Sequence, residues 1–256
     1  MTRDLRRLLI TSGRLPTVPS AGGELELERQ ELHYLTRVLR LHPGDRFAVV
    51  DGAGKLWTAL LGPVNHAQLE QAIGSPLAFE HPPAPLLQLA VALPKRDADV
   101  LFRMACELGM DRFTPLQAER SVASDSLKLE RTEAILREAM EQCERLWQPQ
   151  LESLRPAAEL LGGQPPGGPG RGLLCTTRRP GLALLAQALE GLVSPLGASE
   201  LLTVAIGPEG GWTPAEEALA FAHGWQAVSL GSTILRCSTA AVTAAGLLSH
   251  WRAQLN

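Results

Sequence analysis

Leu201-Leu202-Thr203-Val204-Ala205-Ile206-Gly207-Pro208-Glu209-Gly210-Gly211-Trp212-Thr213-Pro214 sets the class of this protein. Five apolar residues and one β-branched Thr run together without a polar break, as in a strand buried on both faces of a parallel sheet. A glycine loop follows at once. Thr213, Pro214 and Glu216 then read as a helix start, with a capping hydroxyl, a first-turn proline and a capping-box acid. A strand, a glycine loop and a helix N-terminus in that order offer backbone N–H groups to a ligand. The loop has neither a GK[ST] ending nor a GxGxxG spacing, which argues against a triphosphate cradle or a dinucleotide fingerprint.

Working outward, the same alternation recurs on both sides. Val228-Ser229-Leu230 runs into Gly231-Ser232-Thr233-Ile234-Leu235-Arg236, and a helix rich in small residues is expected over 238–248. Upstream, 173–175 reads as a short strand and 182–192 as a helix, after a loop with nine Gly or Pro in positions 162–172. Residues 127–146 have the spacing of a long amphipathic helix and 113–116 that of a strand. Residues 97–108 read as a helix stopped by Gly109, and 86–93 as a buried strand. Strands alternating with helices from about residue 85 imply a parallel α/β sheet, whose ligands bind outside the carboxyl ends of the strands.

Before the stiff segment Phe79-Glu80-His81-Pro82-Pro83-Ala84-Pro85 the pattern is different. Residues 24–28 alternate, and 46–50 run into the turn Asp51-Gly52-Ala53-Gly54, with 55–61 as the return strand. Leu32, Leu35, Val38 and Leu39 have helical spacing within 31–41. The reading is a small β-barrel-like module over 1–78, followed by an α/β domain over 79–256.

Charge and composition narrow the function. With 24 Lys and Arg against 27 Asp and Glu the net charge is −3, so no global positive field points to nucleic acid. A local basic face remains open: Arg3, Arg6 and Arg7 with Arg37 and Arg40, interleaved with Asp4, Glu28 and Glu31. Only Lys55, Lys95 and Lys128 are lysines, an excess of Arg that matches the Leu, Ala, Gly and Pro richness of the chain. Cys106, Cys143, Cys175 and Cys237 form no CxxC or Cys/His pair, so neither a zinc site nor a disulfide framework is expected. No apolar run approaches about 18 residues and the N-terminus lacks a signal pattern; a cytoplasmic protein with no membrane span is expected.

Ala205-Ile206-Gly207-Pro208-Glu209-Gly210-Gly211, with Leu230-Gly231, Ile234-Leu235-Arg236 and Thr239-Ala240, resembles the signature of the RsmE family of the SPOUT superfamily. Further blocks match in order: residues 33–40 with Gly44-Asp45, Glu107-Leu108-Gly109, Pro115-Leu116 with Glu119-Arg120-Ser121, and Glu141-Gln142 with Arg145 and Pro149. The resemblance implies a PUA-like β-barrel followed by an α/β domain tied in a deep trefoil knot, acting as a homodimer. It also implies transfer of a methyl group from S-adenosyl-L-methionine to N3 of one uridine in 16S rRNA, within the small ribosomal subunit. The donor pocket it implies is built from Leu174, Ile206, Gly207, Glu209, Gly210, Gly211, Leu230, Gly231, Ile234, Leu235 and Arg236. Arg236 is its candidate catalytic residue. Arg7, Arg37, Arg40 and Arg120 are its candidate RNA contacts, and no metal is implied. Three departures stand out: Ser232-Thr233 where the family has Pro-Arg, Cys237-Ser238 where it has Thr-Glu, and Arg103-Met104 where it has Gln-Lys. They leave open a binding protein with weak or no catalysis, or a methyltransferase acting on another RNA.

Overall fold

The computed structural model describes residues 5–16, 23–122, 128–168, 170–192 and 200–255. Arg3 and Asp4 of the basic N-terminal cluster lie outside them, as does the expected first residue of the long helix, Leu127. The chain forms two units, Met1–Pro82 with Met140–Gln148, and Pro83–Ala139 with Pro149–Asn256.

In the first unit β1 (Arg7–Leu9) lies parallel to β3 (Arg46–Val50), which pairs antiparallel with β4 (Lys55–Leu61). The opposite edge of β4 takes β5 (His66–Leu69) and β6 (Ala78–Phe79), and β2 (Glu24–Glu26) pairs with β5. The β3–β4 turn is fixed by Asp51, whose Oδ1 accepts the N–H groups of Ala53 and Lys55 at 2.8 and 3.0 Å. Phe47, Val49, Trp57, Leu25 and Leu35 fill the core. The helix expected over 31–41 starts earlier, as α1 (Arg29–His33), because Glu28 and Glu31 form a capping box. It then widens into a π turn over Tyr34–Val38. Leu35 stays buried, but Val38 leaves the expected apolar face and is 58% exposed.

The unit does not end at residue 78. Phe79 of β6 pairs with Lys55 of β4, so the sheet carries the boundary past the expected position. The segment 140–148, expected within the second domain, also belongs here. Glu141 Oε1 accepts the buried N–H of Leu9 at 2.8 Å, Gly54 N–H reaches the Leu146 carbonyl at 3.0 Å, and Trp147 Nε1 donates to the Glu80 carbonyl at 3.1 Å.

The second unit is built on β7 (Leu86–Ala92), α2 (Ala98–Glu107), β8 (Arg112–Gln117), α3 (Leu129–Gln142), β9 (Gln150–Leu151), β10 (Arg155–Pro156), α4 (Ala157–Leu161), β11 (Gly172–Cys175), α5 (Leu185–Glu190), β12 (Leu201–Ile206), α6 (Pro214–Ala222), β13 (Gln226–Val228) and α7 (Cys237–Ala253). Its sheet has the order β10-β8-β7-β12-β11-β13 with every pairing parallel, and β9 also lies on β8. The outer edge of β8 is split: β9 pairs with Arg112 and Phe113, β10 with Leu116 and Gln117. The gap falls at Thr114-Pro115, where proline has no N–H to donate.

β12 is buried at all six positions, as its composition requires. One polar chain crosses this apolar sheet. Thr203 Oγ1 donates to Gln88 Oε1 at 2.7 Å, Gln88 Nε2 to Thr114 Oγ1 at 2.6 Å, and Thr114 Oγ1 to Glu152 Oε2 at 2.8 Å. The helix expected over 182–192 shortens to α5 because residues 183–184 bond instead beside Ser229. Among the described residues no helix is long and apolar enough to cross a membrane.

Candidate active site: a cavity at the carboxyl ends of β11, β12 and β13

A cavity of about 340 Å³ opens where β11, β12 and β13 end. On the β12 side, Thr213 caps α6: its Oγ1 accepts the Glu216 N–H at 3.2 Å, and Glu216 Oε2 accepts the Thr213 N–H at 2.8 Å. The other oxygen of Glu216 accepts the N–H of Glu119 at 2.9 Å, so a buried acid read only as a capping residue also anchors the chain after β8. That chain carries Arg120, whose Nη1 donates to the Gly210 carbonyl at 3.1 Å. The contact is close: a Cβ on residue 210 would stand 2.9 Å from the Cβ of Arg120. Trp212 lies beneath the loop, 7% exposed, with Nε1 donating to the Cys175 carbonyl at 3.0 Å.

The third wall follows β13. Gly231 takes φ 141°, a conformation that favours glycine, with open space where a Cβ would sit. Ser229 Oγ spans this turn, donating to the Gly231 carbonyl and accepting its N–H. Ile234 and Leu235 continue the wall, and α7 begins at Cys237, whose Sγ donates to the Ala92 carbonyl at 3.1 Å.

The structure brings Ile206, Gly207, Glu209, Gly210 and Gly211 to this cavity together with Leu230, Gly231, Ile234 and Leu235. Leu174 is elsewhere: it is fully buried in the sheet core, because alternation along β11 turns its neighbour Cys175 to the cavity. Arg236 stands at the N-terminal boundary of α7, exposed and making no side-chain capping hydrogen bond, between the lining residues Leu235 and Cys237 but not itself in the lining. Arg120 faces the cavity and is engaged with the glycine loop. Arg37 and Arg40 lie exposed in the first unit with no ion pair among the described residues, Arg40 at φ 59° just past the π turn. Arg7 departs from the expectation of a free phosphate contact. Its guanidinium pairs with the Glu144 carboxylate at 3.1 Å and with the Glu144 carbonyl.

Three lining residues take partners that no motif joined. Thr176 Oγ1 donates to Glu217 Oε1, and Arg179 Nη1 donates to Glu217 Oε2 at 3.3 Å with its guanidinium 4.8 Å above the Phe221 ring. These partners are about forty positions apart in sequence, so spacing could not join them. Burial pushes the thiols of Cys175 and Cys237 up to about 12, with the nearby Glu209 charge adding to the rise at Cys237.

Residues 82–249 match the family described as RNA methyltransferase domain, and residues 27–67 match the RNA methyltransferase PUA domain. The chain belongs to the RNA methyltransferase family. Relatives of this methyltransferase carry the name Ribosomal RNA small subunit methyltransferase E. One from Synechocystis is 41% identical over 226 residues, covering 85% of this chain and 70% of its own. One from Mycobacterium tuberculosis is 29% identical over 257 residues, covering 93% and 92%. The crystal structure of a protein of that name from Neisseria gonorrhoeae, bound to S-adenosyl methionine, superposes with a TM-score of 0.77. It is 26% identical, covering 96% of this chain and 97% of its own. The methyltransferase thus pairs a PUA domain, which the ordered sequence blocks implied, with a parallel, Rossmann-like sheet.

Proposed function

We propose that this methyltransferase transfers the methyl group of S-adenosylmethionine to N3 of one uridine in the 16S RNA of the small ribosomal subunit. The observation that carries the reading is the cavity at the strand ends, walled by two glycine-bearing turns, in a chain of this family. Its volume is at the lower end of small-molecule sites. The residues fit a nucleoside donor: Ile206, Leu230 and Leu235 are apolar walls, and Ile234, 64% exposed, is apolar surface that a purine ring would cover. When bound, the donor supplies a methyl group on a cationic sulfur, already activated for transfer.

The chain's own residues do the rest. The loops at Gly207–Gly211 and Leu230–Leu235 hold the donor in line, a contribution of position rather than covalent chemistry. Glu209, at the rim, favours positive charge nearby. Arg236 makes no ion pair among the described residues, and its guanidinium would stabilise negative charge on the uracil oxygens as the N3 proton passes to solvent water and the methyl group leaves the sulfonium as a neutral thioether. Arg37 and Arg40 supply phosphate contacts from the PUA unit.

The trefoil knot belongs to the same reading; the cavity sets residues 229–240 against both the 175–179 and 206–217 segments, as a threaded chain would. So does a homodimer, for which exposed Val100 and Met104 on α2 offer apolar surface, in the cytoplasm where ribosomes are made.

The test is mass spectrometry of 16S rRNA nucleosides from cells lacking this gene, with and without its restoration. Loss and return of 3-methyluridine is expected, and restoration with Arg236→Ala should slow methylation about a hundredfold. Unchanged 3-methyluridine would move the target to another RNA or leave a protein that only binds.

A further inference from the structure

The loop that follows β11 is fastened at both ends by one carboxylate. Thr176 N–H donates to the Val228 carbonyl at 3.0 Å and its hydroxyl donates to Glu217; three residues on, Arg179 bonds the other oxygen of Glu217 and stacks on Phe221. Between these fixed points Arg178 takes φ 61°. Residues with a Cβ seldom adopt that conformation, and it persists where the surroundings impose it, often at ligand sites.

The charges of the cavity can then be sorted by what they already hold. Of the cations lining it, Arg120 is spent on the Gly210 and Trp212 carbonyls, and Arg179 on Glu217 and Phe221. Arg178 also lines the cavity, is exposed, and makes no ion pair or side-chain hydrogen bond among the described residues. Of the anions, Glu217 is engaged by Thr176 and Arg179, while Glu209 has no ion pair among the described residues. Among the described residues the cavity lining therefore carries one cation and one anion with neither an ion pair nor a side-chain hydrogen bond. A ligand with separated charges of both signs matches that pair, whereas a neutral nucleoside leaves both unused.

We propose that Arg178 binds the α-carboxylate of the donor's amino-acid tail, with Glu217 as the positioning residue that clamps the loop and holds Arg178 at the cavity. This rests on the S-adenosylmethionine reading above and assigns a residue pair to one end of that ligand. Arg178 supplies a planar, permanently charged fork suited to a carboxylate.

The test is calorimetric titration of the full chain with S-adenosylmethionine and with its decarboxylated counterpart, which keeps the nucleoside and sulfonium and lacks the carboxylate. The wild type is expected to prefer the carboxylated ligand by about ten- to a hundredfold, the range of a charged hydrogen bond. Arg178→Ala should abolish most of that preference while holding the affinity for the decarboxylated ligand within about twofold, which also reports an intact fold. Arg178→Lys should restore part of it, and Glu217→Gln should shrink the preference in the same selective way. If Arg178→Ala weakens both ligands alike, or neither, the assignment is overturned. It is also overturned if that variant keeps its donor affinity and loses RNA affinity with a shallower salt dependence, which would give the cation to an RNA phosphate. A wild type that binds neither ligand would overturn the donor reading itself, and the assignment with it.

Discussion

Cys175 and Cys237 stand on the wall of a cavity read as a methyl-transfer site, yet the structure makes both poor nucleophiles. Their thiols lie near 12 against an ordinary 9, so both stay protonated through neutral and mildly alkaline pH. The thiolate is the reactive form, and a rise of three units cuts its population about a thousandfold at pH 8. Iodoacetamide at pH 8 should therefore label the two at a small fraction of the rate of a free thiol, climbing steeply only above about pH 11. Peptide mass spectrometry of a labelling time course checks this; rapid labelling at Cys175 at pH 8 would contradict it. Cys237 is held further by its bond to the Ala92 carbonyl.

At the scale of elements, the polar chain Thr203–Gln88–Thr114–Glu152 ties β12, β7 and β8 together through three buried side chains and ends on the half-buried Glu152. Gln88→Leu would remove two short hydrogen bonds and leave the Thr203 hydroxyl, 0% exposed, without its acceptor. The expected cost is about 2–4 kcal/mol, read as a Tm lower by about 5–12 °C. Adding Thr203→Val should recover part of the loss, since removing both partners leaves fewer orphans; a double variant no better than the single would refute the account. Such a network was not legible, because Gln88 and Thr203 sit in apolar runs where periodicity reports only burial. What was legible followed from composition alone. The bounds of β3, β4 and β12 agree with their apolar runs, and the Thr213–Glu216 cap with its motif. The two-residue strands β6, β9 and β10 gave no signal, since pairing with β4 or β8 holds them rather than their own side chains. The glycine loops of the cavity were readable from local spacing. The Glu217 clamp was not, because it joins two helically and sheet-bound segments through tertiary contact.

For the whole molecule, the division into units cuts across chain order. The first unit needs residues 140–148: the buried Leu9 N–H is satisfied by Glu141, Arg7 by Glu144, and the Gly52–Gly54 turn by Leu146 and Gln148. An unsatisfied buried N–H costs about 1–3 kcal/mol, a large share of the stability of so small a unit. Residues 1–82 produced alone should accordingly give a poorly dispersed amide NMR spectrum and no protected Leu9 amide. A well-dispersed spectrum with Leu9 protected would show the segment to be dispensable.

The same interruption has a consequence for birth of the chain. During translation the PUA-bearing unit cannot close when its own residues emerge; it waits for the 66 positions from 83 to 148. At about 5–20 residues per second that delay is about 3–13 s. Over this interval β7, α2, β8 and the part of α3 up to Ala139 of the second unit appear before the first is complete, so the two units mature as overlapping rather than successive events.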